Sequence, residues 1–112
     1  MNERENTSTV KGRASDEQIR EWKSQYGEIF ALSTDDEQGR TRICYLRAPR
    51  RKDISAASVA GRVDPLKFNE TILRQCWLGG DTDIRTDDKL FLSVSGKLAD
   101  IIEVGEAQLE KL

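Results

Sequence analysis

Apolar positions change period several times along this chain, and each change marks an expected element. Residues 1–13 carry only Met1 and Val10 as apolar side chains, so they have no face to bury. Residues 1–14 are therefore expected to form a flexible N-terminal arm. Ser15 and Gln18 have the spacing of a capping box, in which the hydroxyl accepts from an orphan amide and the glutamine reaches back. Ile19, Trp22 and Tyr26 follow at i, i+3 and i+7, one stripe of a short helix that Gly27 ends.

The period then shortens. Ile29-Phe30-Ala31-Leu32 and Ile43-Cys44-Tyr45-Leu46 are short runs rich in strand formers, separated by a polar segment containing Gly39. They predict a β-hairpin with a long loop. An isolated hairpin is marginal in water, so it must pack on helices or take strands from a neighbouring subunit. Pro49 breaks the second strand, and residues 51–61 predict a helix with Ile54, Ala57 and Gly61 on one face. Asp64-Pro65 then supplies a cap and first-turn pair for a helix whose wide apolar face includes Leu66, Phe68, Ile72, Leu73, Cys76 and Trp77. Gly79-Gly80 is expected to close it. Thr86 is expected to cap the last helix, with Asp87 and Asp88 facing its positive end. Leu90, Val94, Leu98, Ile101, Ile102, Gly105, Leu109 and Leu112 carry its helical period, the strongest in the chain. The predicted fold class is α+β and mostly helical: an N-terminal helix, one β-hairpin, then three helices, with residues 15–112 as a single domain.

Composition narrows the chemistry. The 112 residues fit one domain able to bury a core without metals or disulfides. There is no histidine, which removes Ser-His-Asp and Cys-His nucleophiles and every His-ligated metal site. The net charge of −2 gives no global basic field. Its distribution is uneven: residues 1–52 hold 11 basic and 9 acidic side chains, residues 53–112 hold 7 and 11. Cys44 and Cys76 fit no metal-knuckle spacing. A disulfide between them is allowed, but a strand position and an apolar helix position favour two buried, reduced thiols. The segment MNERENTSTVKGR has no apolar run, and no window approaches a membrane span, so a soluble protein of the cytosol is expected.

Motif by motif, bland readings win. Asp81, Asp83 and Asp87 alternate like calcium ligands, but Arg85, Thr86 and Leu92 stand at positions a calcium loop cannot give up. A solvated loop with helix-capping acids is the better reading. Gly96-Lys97 resembles the end of a phosphate loop whose first glycine is here Phe91, and Gly79-Gly80 lacks the other glycines of a dinucleotide loop. No carboxylate pair is marked as buried, so no enzyme activity, metal or cofactor is expected. Trp22 and Trp77 fall on apolar helix faces and read as core.

The run Arg40, Arg42, Arg47, Arg50, Arg51 and Lys52, uninterrupted by an acid, stands out. Its densest part, Arg47 with Arg50, Arg51 and Lys52, would grip phosphates or an acidic partner segment. The competing reading is a solvated strand end and first helical turn. Positive charge at a helix start opposes the macrodipole, which points to a reason beyond stability.

The order of pieces resembles a known family. Tyr26-Gly27-Glu28-Ile29 leads into a hairpin ending Cys44-Tyr45-Leu46-Arg47-Ala48-Pro49-Arg50-Arg51-Lys52-Asp53. A small-residue helix follows, then Asp64-Pro65 opening Leu66 to Trp77, a break at Gly80-Asp81, and a last helix ending Leu98-Ala99-Asp100-Ile101-Ile102. Over residues 26–104 this resembles the small tail assembly chaperones of long-tailed bacteriophages and prophages. The resemblance implies a transient binder of the tape-measure protein, the long helical ruler of the tail, or of another tail protein, in the bacterial host cytoplasm. Arg47, Arg50, Arg51 and Lys52 are the candidate partner-binding residues. A homo-oligomer is allowed, whereas membrane and nucleic acid are not expected as partners. The alternatives are a structural virion component (connector or tail-completion protein) and a small nucleic-acid-binding regulator.

Overall fold

The computed structural model describes residues 10–102 and 107–112. In chain order its elements are β1 (Val10–Lys11), α1 (Asp16–Tyr26), β2 (Ile29–Asp35), β3 (Thr41–Arg47), α2 (Arg51–Val63), α3 (Leu66–Cys76), β4 (Trp77–Gly80), α4 (Asp83–Thr86) and α5 (Asp88–Leu98), followed by a 3₁₀ turn at Ala99–Ile101. The fold is α+β, a four-stranded sheet with helices on its two faces.

β3 is the central strand. On one edge it pairs antiparallel with β2 from Ile29↔Arg47 to Asp35↔Thr41. Its other edge is shared: β1 runs parallel to it at Val10↔Thr41 and Lys11↔Arg42, while β4 pairs antiparallel at Cys44↔Gly80, Tyr45↔Gly79 and Leu46↔Trp77. Leu78 is left over as a bulge. The hairpin turn is held by Asp36, whose Oδ1 accepts from the amides of Gln38 and Arg40, both at 2.9 Å.

Strand alternation sorts the side chains. Cys44 and Leu46, with Phe30 and Leu32 opposite them, face the main core with Ala57 of α2, Ile72, Leu73 and Cys76 of α3, Ile84 of α4, and Leu90, Val94 and Leu98 of α5. Ile101 closes the cluster. Tyr45 points the other way, against Trp22 of α1, with ring centroids 5.5 Å apart. Its hydroxyl accepts from the Ala14 amide at 3.1 Å. Trp22 is thus half-buried on the far face of the sheet, separate from the main core. Trp77 is half-buried against that core, with the Arg85 guanidinium 4.4 Å over its ring.

Ser15 caps α1 as expected, its Oγ accepting from Gln18 N at 3.1 Å, and Asp64 Oδ1 accepts from Leu66 N at 3.1 Å at the start of α3. α2 runs to Val63, two residues past its expected end at 61. Other expectations are corrected. Residues 10–14 belong to the fold rather than to an arm, because the edge of β3 at Thr41–Arg42 takes β1 as its partner. Residues 1–9 of the expected arm lie outside the described residues.

Gly79-Gly80 does not end a helix. α3 stops at Cys76 and the glycines belong to a strand, because β4 satisfies the remaining edge of β3. Gly80, at φ +125°, lies so near β3 that a Cβ would come within 2.6 Å of the Ile43 carbonyl oxygen. Three helices were expected after the hairpin, and a fourth, the single-turn α4, intervenes. Thr86 ends α4, and Asp87 caps α5 instead, its Oδ1 accepting from Lys89 N at 2.9 Å and Leu90 N at 3.2 Å. α5 stops at Leu98 instead of running to Leu112, since Ile101 fills the last core position and Leu109 and Leu112 are fully exposed. Gly105 lies outside the described residues. No described helix is long and apolar enough to cross a membrane.

Cys44 and Cys76 are free and buried. Burial pushes the Cys44 thiol up to about 12 and the Cys76 thiol up to about 11. Neither thiol should react with a disulfide reagent such as DTNB in the native protein at about pH 8, and both should react once it is unfolded. The glycines give a graded series in chemical denaturation. Gly80→Ala should cost about 2 kcal/mol or more through strain and collision with β3. Gly39→Ala, at φ +79° with open space around it, should cost about 1 kcal/mol. Gly96→Ala, inside α5 with no neighbour near its missing Cβ, should stabilise by about 0.5–1 kcal/mol.

Candidate partner-binding surface

The basic run divides between the interior and the surface. Arg47 ends β3 and turns inward. Its Nη1 donates to Asp53 Oδ2 at 2.7 Å and its Nη2 to Oδ1 at 3.2 Å, a bidentate pair. The same guanidinium donates to the carbonyl oxygens of Gln75 at 3.0 Å and Ala48 at 3.2 Å. Asp53, at the third position of α2, is 1% exposed and also accepts from the Arg50 amide at 2.8 Å. The Cys76 thiol sits 4.0 Å from the carboxylate. Arg47's bonds hold the Asp53 carboxyl below its ordinary value despite burial, and bonding to Asp53 raises Arg47 in turn. Arg47 therefore ties β3 to the start of α2 and the end of α3 and is not a free binding residue.

Arg50, Arg51 and Lys52 are exposed at the start of α2. They lie where the macrodipole opposes positive charge, and Asp53 beneath them supplies the favourable anion of that turn. Further along the helical layer, large apolar side chains face solvent: Val59 at 57%, Val63 at 91%, Leu66 at 55% and Leu92 at 55%. Leu66 and Leu92, with Phe91, line a groove of about 340 Å³ between the start of α3 and α5, rimmed by Asp64, Lys67, Glu70, Arg85 and Asp88.

Arg42, at the other end of β3, is also spent internally. It donates to Asp36 Oδ2 at 3.0 Å, Asp81 Oδ2 at 2.8 Å and Asp83 Oδ2 at 3.2 Å, and Lys11 of β1 reaches Asp83 at 3.7 Å. Hydrogen bonding, above all to buried Asp81, raises the Arg42 guanidinium further above its already high value. The alternating acids at 81 and 83 thus clamp an arginine. A wider groove of about 710 Å³ lies between the hairpin turn and α5, lined by Asp35, Asp36, Glu37, Asp87 and Asp88. Its Asp36 and Asp87 carboxylates already accept backbone amides.

Sequence reasoning grouped Arg47 with Arg50, Arg51 and Lys52. The signal that separates it is an acid at the third helical position, where Asp53 can reach back to the preceding strand. Val59 and Val63 lie outside the buried face of α2.

The fold and this surface define a small α+β domain with an open helical layer. It is similar to a solved structure, that of the uncharacterised protein rbstp2171 from Bacillus stearothermophilus, at a TM-score of 0.56 and 17% identity. The match covers 83% of this chain and 99% of that one, which shows a shared fold. No protein-family model and no curated protein matches the chain.

Asp53→Asn should cost about 3 kcal/mol or more in urea denaturation, because it leaves the Arg47 charge without its counter-ion. Arg51→Glu and Lys52→Glu should stay within about 0.5 kcal/mol of the native protein. A carboxyl held below 3.8 when folded contributes stability above its ordinary value and loses it as pH falls through the lowered one. The native protein should therefore lose stability on acidification from about pH 5 to about pH 2, and Asp53→Asn should show a shallower acid limb.

Proposed function

We propose that this chain is a binding protein of the tail assembly chaperone kind, which transiently holds a phage or prophage tape-measure protein, or another tail protein, in the bacterial host cytoplasm. The observation that supports this reading is the helical layer, which leaves Val59, Val63, Leu66 and Leu92 to solvent and carries Arg51, Lys52 and Arg62 on the outer face of α2. A tape-measure protein is a long amphipathic helix with a tendency to aggregate. Apolar residues spread over helices with charged rims are what such a helix needs in order to be held in solution. In this reading the protein acts by binding and release, without catalysis, and Arg50, Arg51 and Lys52 serve as the cationic part of the surface.

Co-expression with a phage tape-measure protein, followed by purification of finished particles, tests the proposal. The tape-measure protein should be soluble and copurify only when this chain is present, and the chain should be absent from particles. Fixed stoichiometry in particles would instead make it a structural tail or connector component. Salt-sensitive binding to DNA with no effect on the tape-measure protein would make it a nucleic-acid-binding regulator.

A further inference from the structure

α2 buries Asp53 and Ala57 and leaves seven residues exposed: Arg51, Lys52, Ser55, Ser58, Val59, Arg62 and Val63. These fall in two adjacent rows. Lys52, Val59 and Val63 are spaced i, i+7 and i+11, and Arg51, Ser55, Ser58 and Arg62 are spaced i, i+4, i+7 and i+11. The helix is about 20 Å long at its usual rise per residue. Its outer face has cations near both ends, hydroxyls and valines between them, and no acid, in a chain whose net charge is −2. The one acid of α2, Asp53, is turned inward and neutralised by Arg47, so it subtracts nothing from that face.

Stability does not account for this arrangement. Positive charge over the first turn works against the macrodipole, and a 91% exposed valine at 63 gains nothing from the core. From this pattern we infer that the outer face of α2 is a docking surface for an amphipathic helix with an apolar stripe edged along one side by acidic residues. The valines meet the stripe, Ser55 and Ser58 let the two backbones approach, and Arg51 and Arg62 in the neighbouring row meet carboxylates along one side of it, with Lys52 meeting another at its end. A phosphate backbone would use the three cations and leave Val59 and Val63 bare, so a peptide helix fits the face better than nucleic acid. The inference rests on the binding reading above and specifies the chemistry of the partner segment.

The test uses the full chain and a fluorescein-labelled Leu/Ala/Glu peptide of about 20 residues, long enough to be helical in water. Fluorescence anisotropy compares it with a peptide of the same pattern carrying Lys for Glu, and with a short DNA duplex. The Glu peptide should bind, and the Lys peptide and the DNA should bind at least about tenfold more weakly. Val59→Ser with Val63→Ser should weaken the Glu peptide about tenfold or more. Arg51→Glu with Lys52→Glu and Arg62→Glu should do the same and remove its salt dependence. All five positions are exposed, and circular dichroism should show each variant folded.

Equal binding of the Lys peptide, preference for DNA, or indifference to both sets of substitutions would overturn the docking surface. So would sedimentation showing that the chain alone dimerises and that the charge reversals dissolve the dimer, which would make a second copy the occupant. If both variants keep a co-expressed tape-measure protein soluble as well as the native chain does, the docking surface fails and the chaperone reading stands. If the Glu peptide binds through α2 and the tape-measure protein stays insoluble, the chaperone reading fails and the surface stands.

Discussion

A carboxylate withdrawn from water must be surrounded by donors, and Asp53 meets that demand by drawing three elements together. Its oxygens take two bonds from Arg47 and one from the Arg50 amide, while Arg47 also reaches the last carbonyl groups of α3 through Gln75. The end of the central strand, the start of α2 and the end of α3 are therefore registered against one another by a single ion pair. Removing one partner of such a pair costs far more than replacing both, because the remaining charge stays buried. The Arg42 clamp performs the corresponding task at the other end of β3, where it joins the hairpin turn to the segment after β4. Between the two clamps, β3 has neighbours on both edges and packs on both faces.

This internal use of charge shapes the surface. Arg42 and Arg47 are consumed within the fold, so of the basic run Arg40, Arg50, Arg51 and Lys52 are left outward, the last three at the start of α2. The acids are partly consumed too: Asp53 pairs, Asp36 holds the hairpin turn, and Asp87 caps α5. What remains exposed on the outer face of α2 is a row of cations and serines beside a row that holds two valines. That is the make-up of a surface for another macromolecule, and it is the physical basis of the proposed function.

Much of the fold was legible in the sequence because it rests on local rules. Ser15 and Asp64 cap their helices through their own side chains, and the runs of strand formers around Leu32 and Cys44 announce strands whichever way they pair. What was missed depends on partners distant in the chain. Val10-Lys11 is too short to signal a strand and becomes one only beside Thr41 and Arg42. Gly79-Gly80 has the local chemistry of a helix stop, and the edge of β3 turns it into a strand that only glycine lets come so close. The helical period to Leu112 was real as a pattern, but the core ends at Ile101.

By itself the sequence determined the class of fold, the starts of α1, α2 and α3, the hairpin, the reduced state expected of the two thiols, and the absence of any histidine chemistry. These follow from side-chain size, periodicity and capping groups, all of which act within a few residues. The tertiary structure alone decided which arginine is spent inside and which faces out, since Arg47 and Arg50 have the same chemistry and differ only in what lies beside them. It also decided which apolar residues are core. Ala57 and Val59 are two positions apart on one helix, and packing against α3 and the sheet buries the first and leaves the second for a partner.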